Sequence, residues 1–378
     1  MTVRLLSPVS CLAILLLVIH CGFDVAAAQE RGQEWERARP GRILAFPDDH
    51  ASHPDYRIEW WYYTGNLEAT DGRRFGYQVT FFRVGVDREP ENPSPWAVRD
   101  LFMAHLAVTD IDGGQHLVAE RLNRAGVGWA GARTDRLEVW NEDWQLESDG
   151  TAHTLRAENR EPRFGLNLRL DARRPPVLHG DDGFSQKGAD PGNASHYYSM
   201  TRMETTGELQ LFDETLSVSG SSWMDHEFGT SFLEPSQRGW DWFSLQLQDG
   251  TDLMVYVLRR QDGQVDAHSA GTVVAPDGST TRLGPDDFSL EAGRVWESPA
   301  SSARYPVEWK IEIPGVSLEL NVRASVDAQE LHTELAAGVT YWEGAVVVTG
   351  SDAGRPVTGR GYLEMTGYAG RPMSEVLR

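Results

Sequence analysis

The segment Ser222-Trp223-Met224-Asp225-His226-Glu227-Phe228-Gly229 places three titratable side chains in a row within an otherwise apolar, glycine-flanked stretch. On a β-strand, Trp223, Asp225 and Glu227 share one face, and Met224, His226 and Phe228 share the other. An aspartate beside a tryptophan on a pocket-facing strand is desolvated. Its pKa rises, and it becomes a candidate general acid. A buried aspartate satisfied by backbone amides at a bulge or strand end has the same sequence signature, so both readings stand. A second cluster, Asp48-Asp49-His50-Ala51-Ser52-His53-Pro54, runs into Glu59-Trp60-Trp61-Tyr62-Tyr63. Asp and His this close could ligate a metal, but no His-x-x-x-His helix or other ligand spacing frames them. The expectation is a loop that bonds its own backbone, with no metal. The third cluster is Ser195-His196-Tyr197-Tyr198-Ser199-Met200. In the fourth, Asp241 stands between Trp240 and Trp242 and is expected to anchor a turn. No Gly-x-Ser-x-Gly nucleophile elbow and no Walker sequence accompany these clusters.

The clusters sit in a chain of 378 residues, 40% hydrophobic and 24% charged, which is the composition of an ordinary globular protein. Its length suggests two domains. With 35 Lys and Arg against 56 Asp and Glu, the net charge is −21. Such a surface repels phosphate backbones and argues against nucleic acid, and equally against a polybasic dock on anionic lipid. The 13 Trp and 11 Tyr suggest aromatic-lined pockets or large β cores. Near the N-terminus, Arg4 precedes the apolar run from Cys11 to Cys21, and Ala26-Ala27-Ala28-Gln29 offers the small residues of a cleavage site. That run is shorter than the roughly 20 residues of a membrane-spanning helix. Residues 1–28 are therefore read as a secretory signal, and the protein as exported, periplasmic or extracellular. Both cysteines lie in the signal, so the mature chain would carry neither disulfide nor thiol. No later run suits a membrane helix, and no stable membrane insertion is expected after cleavage.

The elements that must position the clusters read as strands. Apolar and polar residues alternate over Phe164–Asp171, Val307–Ile313 and Val316–Val322. Asp-Gly pairs at 71–72, 112–113, 149–150, 249–250, 262–263 and 277–278 punctuate them, as hairpin turns require. The clearest hairpin spans Trp240 to Arg260, and its second arm is apolar on both faces. Residues 172–200 break the pattern and are read as a domain junction. The expected division is a signal at 1–28, an extension at 29–44, domains at 45–185 and 186–372, and a tail at 373–378. A faint echo between 59–80 and 341–367 hints at duplication.

The motifs IEWWYYTGNL, GYQVTFFR, GDDGFSQKG, SHYYSMTR, WMDHEFG, GWDWFSLQL and GYLEMTGY, in this order, resemble the AttH and carotenoid 1,2-hydratase family of calycin-like proteins. The resemblance covers nearly the whole mature chain. It implies an all-β fold of two lipocalin-like antiparallel β-barrel or sandwich domains, with an apolar ligand site at or near their interface. In the hydratases the catalytic pattern is a His-x-Trp pair followed by a Tyr-x-Asp pair. His196 and Tyr198 match the first pair here, and Trp223 and Asp225 the second, with the two aromatics exchanged in type. That exchange points to the AttH-like branch rather than to carotenoid specificity. Trp60, Trp61, Tyr63, His226, Trp240 and Trp242 are the positions expected to line the ligand site.

The function implied is a cofactor-independent, hydratase-type lyase acting on a long apolar, isoprenoid- or lipid-like small molecule. Asp225 would protonate an alkene, and His196 would orient the acid or the attacking water. Trp223 and Tyr198 would face the developing cation, at ~0.5–2 kcal/mol each. This chemistry requires no metal, nucleotide or flavin. The alternative is a non-catalytic carrier or chaperone of a lipophilic molecule, which the same lining would serve.

Overall fold

The computed structural model describes residues 34–376 apart from 95, 232, 334–337 and 371. The expected signal over 1–28, the first residues of the extension and the end of the tail lie outside the described residues.

Among the described residues, two large antiparallel sheets account for most of the chain. The first has thirteen strands. Its order begins with Gln115–Arg124, Asp100–Asp110, Arg74–Gly85 and Ile58–Ala69, and passes to the long hairpin of Glu214–Ser231 and Ala194–Leu211. It continues through Arg163–Ala172, His153–Arg160, Trp144–Ser148, Glu138–Asn141 and Ala130–Ala132. Bridges from Ala125 and Gly126 to Ala130 draw the two ends together. Asn123 Nδ2 also donates to Asn141 Oδ1 at 2.7 Å, so the sheet is nearly closed as a barrel. The second sheet runs Thr280–Leu283, Ala270–Val274, Asp252–Arg260, Gln237–Leu247, Arg355–Met365, Thr340–Asp352, Leu318–Ala324, Glu308–Ile313 and Ser289–Ala292. Its tenth strand, Glu330–His332, pairs with Thr340–Asp352.

The alternation in the sequence is what builds these sheets. Phe164, Leu166, Leu168 and Leu170 are buried while Asn167 and Arg169 are exposed. Leu318, Leu320 and Val322 do the same in the second sheet, whereas Val316 falls in a short 3₁₀ turn before that strand. Five of the six Asp-Gly pairs hold their glycine at positive φ, between +82° and +97°. At Asp112-Gly113 the next residue, Gly114, takes that conformation instead. The run Gly126-Val127-Gly128-Trp129-Ala130-Gly131 has dinucleotide-fingerprint spacing. It links the two end strands of an antiparallel sheet with no helix after it, so it lacks the context that chemistry needs.

The expected boundary at 185/186 is not where the sheets part. Residues 194–231 stay in the first sheet, and the second begins at Gln237. The long hairpin is needed there because it pairs on one side with Ile58–Ala69 and on the other with Arg163–Ala172. The loop-like stretch before it is a strap rather than a linker. Its short strands at 177–178 and 184–186 pair with Ala194–Leu211, and His179 and Lys187 are buried.

Each sheet wraps its own apolar core, the first around Trp61, Tyr63, Phe75 and Trp144, the second around Phe243, Trp309 and Trp342. A third aromatic layer lies between the sheets and contains Tyr62, Tyr197, Trp223, Trp242, Tyr256 and Tyr362. The doubly apolar arm of the 240–260 hairpin is thereby explained. Leu253, Val255 and Val257 face the second core, and Met254, Tyr256 and Leu258 face the shared layer. A polar clasp holds the sheets at one edge of this layer. Asp252 is fully buried and is gripped by Arg174 Nη1 at 2.9 Å, Arg202 Nη2 at 2.5 Å and Thr201 Oγ1 at 2.9 Å, all from first-sheet segments. The two echoing segments both lie at this junction. Gly76 meets Ala345 and Tyr362 so closely that an added Cβ would lie 2.7 Å from Ala345 Cβ and 2.8 Å from Tyr362 Oη. Gly76→Leu should therefore wedge the sheets apart and cost about 1–3 kcal/mol. Urea melts of the variant check this, and an unchanged midpoint would mean that the sheets yield freely there.

Candidate functional site

The Glu214–Ser231 strand sets Asp225 opposite Tyr62 on one side and Ser199 on the other. Glu227 stands opposite Trp60 and Tyr197. Directly opposed residues project to the same face of a sheet. That face looks away from the first barrel and onto Trp242, Tyr256 and Tyr362 of the second sheet.

Asp225 is 4% exposed. Its carboxylate accepts hydrogen bonds from Trp223 Nε1 at 2.6 Å, Tyr197 Oη at 2.7 Å and Ser199 Oγ. Tyr197 Oη in turn accepts from Trp242 Nε1 at 3.0 Å. Because Ser199 donates to Asp225, it accepts from His179 Nε2 at 2.6 Å, and His179 Nδ1 then accepts from Thr272 Oγ1 at 2.9 Å. Burial pushes the Asp225 pKa up to about 7, against the pull of the three donors, which favour the charged form. Burial also pushes His179 down to about 3, keeping it neutral. Beyond Asp225, Glu227 accepts from Ser195 and pairs with Lys187 Nζ at 3.1 Å, and that ammonium lies 4.2 Å over the Tyr256 ring.

Two more carboxyls face this group from the second sheet. Glu343 and Glu364 are directly opposed on neighbouring strands. Trp240 Nε1 donates to Glu364 Oε2 at 2.8 Å. Burial raises both carboxyls, Glu364 to about 7, and Glu364 also feels the charges of Asp225 and Glu227. Tyr62 meets Trp242 edge-on at 5.2 Å. Its buried hydroxyl faces Glu343, Glu364 and Asp225, yet has no hydrogen-bond partner of good geometry, and neither has Glu343 Oε1. The layer thus packs aromatic faces against one another and presents carboxyls from both sheets.

The other face of the same strands fills the first barrel. His196 is opposite Phe228 and Tyr198 opposite His226, so both matched residues of the third cluster point into the lumen. Tyr198 Oη lies 2.7 Å from His50 Nδ1 and 2.9 Å from His226 Nδ1. His226 Nε2 donates to Glu59 Oε1 at 3.0 Å. Glu59, fully buried, also takes His53 Nδ1 at 2.9 Å, Ser52 Oγ at 2.7 Å and Arg83 Nε at 3.0 Å, and these partners hold its pKa well down despite burial. Trp61 stacks on His226 with centroids 4.9 Å apart, and Tyr63 Oη bonds His153 Nδ1 at 2.8 Å. Burial pushes His196 down to about 4.

The four residues matched to the catalytic pattern therefore do not converge. Trp223 and Asp225 belong to the inter-sheet layer, His196 and Tyr198 to the barrel interior, and a whole sheet separates them. The expected lining divides in the same way: Trp60, Trp240 and Trp242 lie at the layer, while Trp61, Tyr63 and His226 lie in the lumen. Asp241, expected to anchor a turn, lies instead within the Gln237–Leu247 strand, turns to the second sheet's other face and pairs with Arg259 Nε at 3.0 Å. Among the described residues, His53, Glu59 and His226 alone gather ligand-type atoms within 4.8 Å of one another. Both imidazoles already face Glu59 Oε1 and the Arg83 guanidinium holds Oε2, so a cation would have to displace an internal charge. Sequence reasoning missed Tyr62, His179, Ser199, Glu343 and Glu364. Glu343 and Glu364 did carry a signal, an acid within two residues of an aromatic in a glycine-bearing strand, which also marks Asp225.

Fold and site define an antiparallel, lipocalin-like protein of two sheets with a buried layer of aromatics and carboxyls between them. The AttH-like family pattern matches residues 37–368, and the chain belongs to that family. An AttH crystal structure from Nitrosomonas europaea is 35% identical, with a TM-score of 0.80 over 89% of this chain and 100% of that one. The crystal structure of kievitone hydratase from Nectria haematococca shares the fold at 18% identity, with a TM-score of 0.66 over 89% of this chain and 96% of that one. Kievitone hydratase from Fusarium solani subsp. phaseoli is 23% identical over 145 residues, which span 38% of this chain and 40% of that protein.

A titration consequence follows for Asp225. Its pKa is about 7 folded and about 3.9 unfolded, so the folded state binds the extra proton between those values. Stability is then lost as pH rises through this window. Relative to Asp225→Asn, the wild type should lose about 2–4 kcal/mol between pH ~4 and pH ~8. Urea melts of both proteins across that range check the sign, and parallel curves would show that Asp225 is ionised throughout.

Proposed function

We propose that the protein is a hydratase-type lyase that adds water across an alkene of a long apolar, isoprenoid- or lipid-like substrate held between the two sheets. Membership of the AttH-like family and the kievitone hydratase relatives support this reading. The observation that carries it is the Asp225 carboxyl, buried among aromatic rings, titrating near neutrality and tied through Ser199 to His179. Hydrating an isolated alkene needs a proton carrier of this kind in a water-poor setting. The rings of Trp223, Trp242 and Tyr62 would face a tertiary cation formed in this layer, at ~0.5–2 kcal/mol each. In the amide variant that carrier is gone while the shape of the site remains.

Kievitone and simple isoprenoid alkenes are the substrates to try, with mass spectrometry reading the gain of one water. Asp225→Asn should lower turnover by about 10²–10⁴-fold while binding of a fluorescent polyene is unchanged. Wild-type turnover in the variant would defeat the proposal, and retained binding without turnover in either protein would make the protein a carrier. We also place the mature protein outside the cytoplasm, on the strength of residues 1–28. Intact-mass measurement of the secreted or periplasmic product should find an N-terminus near Gln29. Full-length protein retained in the cytoplasm would count against export.

A further inference from the structure

The carboxyls that meet between the sheets have unlike surroundings. Asp225 receives three side-chain donors, from Trp223, Tyr197 and Ser199. Such a shell suits an anion. Its neighbour Glu227 is balanced by Lys187. Glu343 and Glu364 are placed otherwise. They stand side by side on adjacent strands, and among the described residues neither forms an ion pair with Lys or Arg. Glu364 has the indole of Trp240, and Glu343 has only the hydroxyls of Tyr62 and Tyr341 nearby, its buried Oε1 lacking a hydrogen bond of good geometry. Two opposed carboxylates with no cation between them do not both ionise, and such a pair shares one proton. Tyr62 stands between the two groups, opposite Asp225 in register, with its buried hydroxyl beside the Glu343 carboxyl but in no hydrogen bond of good geometry.

We infer that the site is two-sided: the Glu343–Glu364 pair of the second sheet protonates the alkene, Asp225 of the first sheet takes the proton from the attacking water, and Tyr62 links them. This inference rests on the hydratase reading and reassigns the acid within it. In the first step the alkene π pair forms a C–H bond to the proton of the glutamate pair. The O–H bond breaks, leaving the pair fully ionised and the neighbouring carbon cationic. In the second step a lone pair of water forms the C–O bond, and the water proton passes to Asp225. The net change is addition of one water. The site resets when the proton returns from Asp225 to the pair, and the Tyr62 hydroxyl is the group through which it passes.

Infrared difference spectra taken just above the pH at which Asp225 ionises locate the shared proton without any substrate. The C=O stretch of a protonated carboxyl should disappear in Glu343→Gln and in Glu364→Gln and persist in Asp225→Asn. Loss of that band in D225N alone would overturn the inference. Turnover gives the catalytic half of the test, with E364Q expected to fall about 10²–10⁴-fold. Wild-type turnover in E364Q would remove the pair from the mechanism. Tyr62→Phe should complete its first turnover normally and slow the later ones, and unchanged steady-state turnover would remove the relay. Should E343Q fail to fold, E364Q and Y62F carry both measurements. If the wild type hydrates no alkene, the functional proposal falls and the catalytic roles with it, while the infrared spectra still decide where the proton sits.

Discussion

The two-residue repeat of the Glu214–Ser231 strand is the constraint on which the site depends. Asp225 and His226 are neighbours in the chain, yet one faces the second sheet and the other faces the barrel interior. A slip of one residue in pairing with Ile58–Ala69 would exchange them. It would bury the Asp225 carboxyl in the lumen and strip Glu59 of its imidazole partner. Register here is therefore held on both sides of the sheet at once, by the Asp225 shell outside and the Glu59 network inside.

The inner network shows how a barrel interior can hold buried charge. Glu59 collects two imidazoles, a hydroxyl and the Arg83 guanidinium, and Arg83 goes on to Asp100 at 2.9 Å. Removing Arg83 would leave charge uncompensated in an apolar interior, and removing a neutral partner would leave a buried oxygen short of a donor. The loop carrying Asp48–His50 and His53 is thereby stitched across the barrel mouth: His53 and Arg42 both bind Asp49, and His50 reaches Tyr198. These residues, expected to form a loop bonded to its own backbone, bond instead across the barrel and pin the scaffold that presents Asp225 on the far side.

Much of the fold was legible because it is written locally. Alternation at 164–170 and 318–322 and glycines after aspartate at the turns are short-range properties, and the sheets follow them. The sheet boundary was not legible. A stretch rich in Pro, Gly and Asp at 172–193 reads as a linker by composition, and only its pairing with Ala194–Leu211 shows it to be a strap. At the site, residue types were legible and faces were not. Trp223 and Asp225 were correctly placed together because they lie two apart on one strand. Whether His196 shares their face depends on its register with Phe228, a long-range pairing that no local pattern encodes. Glu343 and Glu364 were harder still, since more than a hundred residues separate them from Asp225 in the chain.

One connection across the sheet boundary has a consequence for when the site can work. Thr272 belongs to the second sheet, and its hydroxyl holds Nδ1 of His179, whose Nε2 supports Ser199 and through it Asp225. The histidine keeps this tautomer while the sheets are docked. If they part, Thr272 withdraws, water reaches the imidazole, and the carboxyl loses both its support and its dry surroundings. The chain of hydroxyls and imidazole is an interlock: the dry, hydrogen-bonded shell of Asp225 exists only while the two sheets are docked.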